Sequence, residues 1–113
     1  MVTTESPAGP PTPTPGPAPA EIELTAVLAA LSDPVRLEIV RQLAAAGEER
    51  TCGSFGLPVA KSTATHHFRV LREAGLVASR EEGTRKFNRL RRDELEGRFP
   101  GLLDSILANA EIA

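Results

Sequence analysis

A chain of 113 residues allows one small domain, and 41% apolar with 25% charged residues is ordinary globular composition. With no Trp or Tyr and four Phe, the core must be aliphatic, and a single cysteine excludes an internal disulfide framework. The net charge of −2 argues against a polyanion binder only until it is mapped: residues 61–92 hold nine Lys/Arg and three acids, +6, while the other segments sum to −8.

Residues 1–20 contain seven of the ten prolines, in "SPAGPPTPTPGPAPA". Such a stretch lacks backbone donors and apolar side chains to pack, so it predicts a disordered Pro-rich tail ahead of a folded domain over 21–113. From Glu21 the pattern turns helical. Leu24, Val27, Leu28 and Leu31 repeat at i, i+3, i+4, i+7 and make one apolar stripe. The longest apolar run, "AVLAAL" at 26–31, is far below the ~20 residues of a membrane span, and no signal-peptide pattern is present. The expectation is a cytoplasmic protein with no membrane partner.

"SDP" at 32–34 marks the next boundary. Asp33 suits an N-cap and Pro34 the first helical position, where no N–H is needed. The helix that follows should bury Val35, Ile39, Val40 and Leu43 and end at Gly47. Residues 47–60, "GEERTCGSFGLPVA", are broken by three glycines and Pro58 and leave room for a short helical turn near Thr51–Phe55.

A third helix is predicted over "KSTATHHFRVLREAG", with Ala64, Phe68, Leu71 and Gly75 on one side and Gly75 ending it. "LVASREEGTRKFNRL" then reads as two short strands around Gly83, a β-hairpin with a charged tip. The remainder, "RDELEGRFPGLLDSILANAEIA", predicts a short helix capped by Asp93 with Glu96 and a longer one opened by Pro100. Leu103, Ile106, Leu107 and Ala110 form the apolar stripe of the last helix.

The fold class is therefore mainly α with a small β-hairpin, in the order of a winged helix-turn-helix. One helix of that layout enters the DNA major groove, and the hairpin reaches the flanking groove or backbone. The +6 segment coincides with this helix and hairpin. With the apolar positions turned inward, Lys61, Ser62, Thr63, Thr65 and His66 face outward near the helix start as candidate groove contacts, and Arg69 as a phosphate contact. On the wing, Arg80, Arg85 and Lys86 are the candidate phosphate or minor-groove residues, with Arg89, Arg91 and Arg92 behind them.

Cys52, His66 and His67 lie close in sequence but do not form a convincing metal site. Adjacent helical residues point about 100° apart, so the two histidines do not converge. No metal and no cofactor is expected. Cys52 remains a candidate redox site, beside Arg50. No paired carboxylates, nucleophile–base set or Gly-rich phosphate loop suggests an enzyme.

"LSDPVRLEIVRQLA" at 31–44, "STATHHFRVLREAGLV" at 62–77 and the wing "EEGTRKFNRL" together resemble the ArsR-type (arsenic-repressor-like) winged helix-turn-helix transcriptional regulators. The resemblance covers about residues 21–113. It implies a homodimer through the first and last helices, with Leu24, Val27, Leu28, Leu31, Leu103, Ile106, Leu107 and Ala110 at the interface. It also implies an inverted-repeat operator on double-stranded DNA, a repressor's role, and recognition positions on the helix residues named above. Metal-sensing relatives use a Cys-x-Cys pair where this chain has Cys52-Gly53-Ser54, or Asp/His pairs on the last helix, where it has Asp104 and Glu111 but no His. Neither ligand set is complete. The chain also departs from the family at Ala60, where a Ser or Thr cap is usual. Ser62 is the alternative cap, which leaves the register of Lys61 open. A winged-helix protein-interaction module and a repressor that responds to redox or metal through its one cysteine are the alternative readings.

Overall fold

A computed structural model describes residues 16–110. The chain enters through a 3-10 turn, Pro19–Glu21, followed by α1 (Leu24–Leu31), α2 (Pro34–Ala46), the two-residue strand β1 (Arg50–Thr51) and a second 3-10 turn, Cys52–Ser54. Then come α3 (Lys61–Ala74), β2 (Val77–Glu82), β3 (Arg85–Leu90), α4 (Arg92–Arg98) and α5 (Leu102–Ala110). The three strands form one antiparallel sheet in the order β1-β3-β2.

The helix boundaries follow from local chemistry. The Asp33 carboxylate accepts the backbone N–H groups of Val35 at 2.9 Å and Arg36 at 3.1 Å, and Pro34 occupies the first turn. Gly47 ends α2 at φ 68° and donates to the Leu43 carbonyl. Gly75 ends α3 at φ 91°, donating to Arg72 O at 3.1 Å while Leu76 donates to Leu71 O at 3.0 Å, the paired bonds of a Schellman stop. Glycine is required here for two reasons: the backbone is left-handed, and a Cβ would lie 2.6 Å from Ile22 Cγ1.

The core is aliphatic, as the composition demands. Ile22, Val27, Ile39, Val40, Leu71, Leu76 and Val77 are almost wholly buried, and Phe55 meets Phe68 edge-on at 5.3 Å between ring centroids. In the sheet, Val77, Ser79 and Asn88 face inward, while Arg80, Phe87 and Arg85 share the outer face. The hairpin turns on Gly83 and Thr84, with Gly83 at φ 64°.

Several expectations are corrected. The turn Pro19–Glu21 lies partly in the stretch expected to be disordered, yet it packs on α4, and Arg98 Nε holds the next carbonyl, Ile22 O, at 2.9 Å. Residues 1–15 of that tail, and Glu111, lie outside the described residues. The hairpin gains a third strand: Arg50 pairs with Asn88 and Thr51 with Phe87. The Asp93–Glu96 capping box does not form, because α4 starts from Arg91 and the Glu96 carboxylate instead accepts Gly101 N at 3.2 Å. The last helix begins at Leu102, after Gly101 turns the chain at φ 81°.

Candidate nucleic-acid interface

The register of the recognition helix is that of an uncapped start. Ala60 takes the N-cap conformation, φ −63° and ψ 155°, with no side-chain hydrogen bond, so Lys61, Ser62 and Thr63 fill the first turn. Ser62 is inside the helix and is not its cap. All three side chains are exposed, as are Thr65, His66 and Arg69, while Phe68 and Leu71 lie in the core. The predicted division of the helix into an inner and an outer face therefore holds.

Two of the outward residues are already positioned. Thr65 Oγ1 donates to Lys61 O at 3.0 Å, a bond back to the preceding turn that uses the hydroxyl proton and leaves the exposed oxygen able to accept. His66 Nδ1 lies 3.2 Å from Arg69 Nη2, so imidazole and guanidinium hold one another on the exposed side. His67, next in sequence, turns inward and is only 8% exposed. Its Nδ1 is 3.1 Å from Arg36 Nη1 and its Nε2 is 3.9 Å from Asp33 Oδ2. Asp33 is held below its ordinary carboxylate value, first by the Arg36 backbone N–H and further by the Arg36 guanidinium and the Val35 N–H.

The wing cations have a different setting. Arg80 is clamped by Glu49, with Nε–Oε2 at 2.8 Å and Nη2–Oε1 at 2.9 Å, and also reaches Glu82 at 2.7 Å. This pairing holds Glu49 below the usual carboxylate range and raises Arg80 further. Lys86 pairs with Glu81 at 3.7 Å. Arg91 is buried and bound to Glu94, Arg89 lies 4.0 Å from Glu94, and Arg92 bonds Asp104 at 2.6 Å. Three of these partners, Glu49, Glu94 and Asp104, lie outside the +6 segment, so counting that segment alone overstated the wing. Lys61, Arg69 and Arg85 have no carboxylate in ion-pair range among the described residues. Arg85 lies 5.5 Å from the Phe87 ring, which Arg80 also covers at 4.6 Å.

The stripe expected at a dimer interface divides. Val27, Leu31 and Leu103 are buried in the chain's own core, at 1%, 8% and 4% exposure, and have little surface left to offer a partner. Leu24 and Leu28 are the exposed large apolar side chains among the described residues, at 43% and 45%, and Ile106, Leu107 and Ala110 are half-buried on α5.

Cys52 is half-buried, and its Sγ accepts Asn88 Nδ2 at 3.1 Å. Asn88 is fully buried and also accepts from Ser79 Oγ at 2.6 Å, so the thiol is one end of a polar chain behind the wing. Arg50 does not turn to the thiol: its guanidinium bonds Gln42 Oε1 and Ser54 and lies over the Phe55 ring. Among the described residues, no three His, Cys, Asp or Glu side chains gather as a metal cluster. No helix among them is long and apolar enough to cross a membrane.

The sequence reading missed Arg36, Glu49 and Asn88. Asn88 had a local signal, a polar residue at an inward position of a strand. Glu49 had none, because Arg80 is 31 residues away and meets it only through the sheet.

A helix-turn-helix domain family matches residues 31–80, the span from the end of α1 to the middle of β2. An uncharacterized HTH-type transcriptional regulator of Bacillus subtilis, YceK, is 42% identical over 82 residues, covering 71% of this chain and 82% of that protein. A second uncharacterized HTH-type regulator, MJ1325 of Methanocaldococcus jannaschii, is 37% identical over 62 residues, covering 54% of this chain and 70% of that protein. A crystal structure described as a possible transcriptional regulator for arsenical resistance superposes with a TM-score of 0.58 at 30% identity, covering 74% of this chain and 84% of its own. With the fold, the outward face of α3 and these relatives in agreement, the chain belongs to the ArsR-type winged helix-turn-helix transcriptional regulators.

Proposed function

We propose that the protein is a homodimeric repressor that binds an inverted-repeat operator, each protomer placing the first half of α3 in the major groove. The observation that carries this reading is the exposed row Lys61, Ser62, Thr63, Thr65, His66 and Arg69 on a helix whose other side is locked into the core. The open first turn supports it. With no side chain capping α3, its first N–H groups are free to meet a phosphate as the helix enters the groove. The poor cap is then a functional feature, with DNA supplying the missing acceptors.

Arg85 is the wing residue best placed to add a phosphate contact, whereas Arg80 and Lys86 must first exchange a carboxylate for a phosphate. Exposed Leu24 and Leu28 support self-association through α1, continued by Ile106, Leu107 and Ala110 on α5. Binding, not catalysis, is the activity, and the protein works beside the chromosome in the cytoplasm. Footprinting on fragments selected from host genomic DNA tests the proposal. The expected result is two symmetric protected half-sites spaced by about 10 base pairs or a multiple. Absence of salt-sensitive DNA binding would favour an interaction module instead.

A further inference from the structure

Arg36 lies in the first turn of α2, yet its side chain serves the two neighbouring helices. Nε donates to Ala30 O in the last turn of α1 at 2.6 Å. Nη1 lies 3.1 Å from His67 Nδ1 on the inward face of α3. A guanidinium has only donors, so Nδ1 is the acceptor, and the imidazole proton sits on Nε2, toward Asp33. The Arg36 backbone is itself fixed, because its N–H is bound by the Asp33 cap. One planar group thus joins α1, α2 and α3, and a fork of this rigidity fixes both distance and rotation.

The placement of the three helices gives this bridge a consequence. Exposed Leu24 and Leu28 make α1 the helix offered to a second copy, and α3 carries the exposed reading residues. His67 is adjacent to His66, so a rotation of α3 that parts His67 from Arg36 also swings His66 and Thr65 within the groove. Apolar packing alone would let α3 settle over a range of small rotations. A polar bond at the buried edge selects one, because leaving these groups unpaired is costly.

We propose that Arg36 and His67 are positioning residues that set the rotation of α3 relative to α1, and so pass changes at the self-association face to sequence readout. The proposal rests on the DNA-binding reading above. Its test uses a duplex that the wild-type protein selects from a random-sequence pool, with a scrambled duplex for comparison. Self-association is measured by sedimentation, and stability by urea unfolding. Arg36→Gln and His67→Leu should each lower the ratio of specific to scrambled affinity by about tenfold, the loss of one hydrogen bond to a charged group. The double variant should lose little more than either single one. Self-association and scrambled-DNA affinity should stay at wild-type levels. His67→Asn, whose side-chain oxygen can take the place of Nδ1, should recover most of the lost ratio.

A purely structural role predicts losses that follow stability and fall equally on both duplexes. Either of these results, or an unchanged ratio in both single variants, overturns the coupling. If Arg36→Gln does not fold, the His67→Asn and His67→Leu pair decides by the same ratio. A wild-type protein that selects no duplex refutes DNA reading itself, an outcome distinct from a wild-type protein that selects one and variants that read it equally well.

Discussion

Replacing Glu49 by Gln should make the protein a stronger and more salt-sensitive DNA binder. Glu49 holds the Arg80 guanidinium through two bonds, at 2.8 and 2.9 Å, and so neutralises a cation on the outer face of the wing. Among the described residues, Lys61 and Arg69 on α3 and Arg85 on the wing are the candidate DNA-facing cations with no carboxylate in ion-pair range. Six such contacts in the proposed dimer give a slope of log affinity against log salt of about −5, where a count of all nine segment cations per protomer gives about −16. Glu49→Gln leaves Arg80 with the exposed Glu82 alone, a partner that a phosphate displaces. Two more phosphates per dimer steepen the slope by about 1.8, so a fourfold rise in salt should cost about 12-fold more affinity than in the wild type. Both partners are about one-third exposed, so little stability should be lost, which thermal unfolding checks. The assay is fluorescence anisotropy of a labelled duplex across a salt series, and Arg80→Ala in the Glu49→Gln background should restore the wild-type slope. An unchanged or shallower slope in Glu49→Gln would show that Arg80 does not meet a phosphate.

Other expectations follow from particular contacts. Gly75→Ala puts a Cβ at φ 91° and 2.6 Å from the buried Ile22, so urea unfolding should show a loss of roughly 3 kcal/mol. Gly47→Ala, at φ 68° with nothing within 4 Å, should lose only roughly 1 kcal/mol, and equal losses would contradict the packing argument. Leu28→Glu should abolish self-association in sedimentation while leaving the fold intact, because Leu28 is 45% exposed in the single chain; an unaffected dimer would move the interface off α1. Acid should destabilise the fold. Glu38 is lowered from 4.5 to about 2 by Arg41 and then Gln42, and Asp33, Glu49 and Glu94 are lowered too. Folded values below unfolded ones give stability that is complete above the ordinary carboxylate range and is lost as pH falls from there toward 2. A urea midpoint that stays constant down to pH 3 would contradict this assignment.

Much of the fold was legible because its boundaries are set by neighbours in sequence. Asp33, Pro34, Gly47 and Gly75 each act within one turn, so spacing alone located α2 and the end of α3. The outward face of α3 was legible for the same reason, since Phe68 and Leu71 fix which side turns in. What escaped depends on residues far apart. The strand β1 is two residues long and exists only by pairing with β3, some 38 residues away. The neutralisation of Arg80 by Glu49 is equally non-local. The α1 stripe shows a further limit of periodicity: it placed Leu24, Val27, Leu28 and Leu31 together, but could not say that Val27 and Leu31 serve the chain's own core while Leu24 and Leu28 remain outside.

The most direct test of the central claim, that α3 reads sequence while the wing holds the backbone, compares two variants on two duplexes. Anisotropy is measured for Thr65→Ala and Arg85→Ala on the duplex selected by the wild type and on a scrambled one. Arg85→Ala should weaken both alike and reduce the salt slope, whereas Thr65→Ala should lower only the selective affinity, by roughly tenfold for one lost base contact. If both variants weaken the selected and scrambled duplexes equally, the outward face of α3 is not the reading surface.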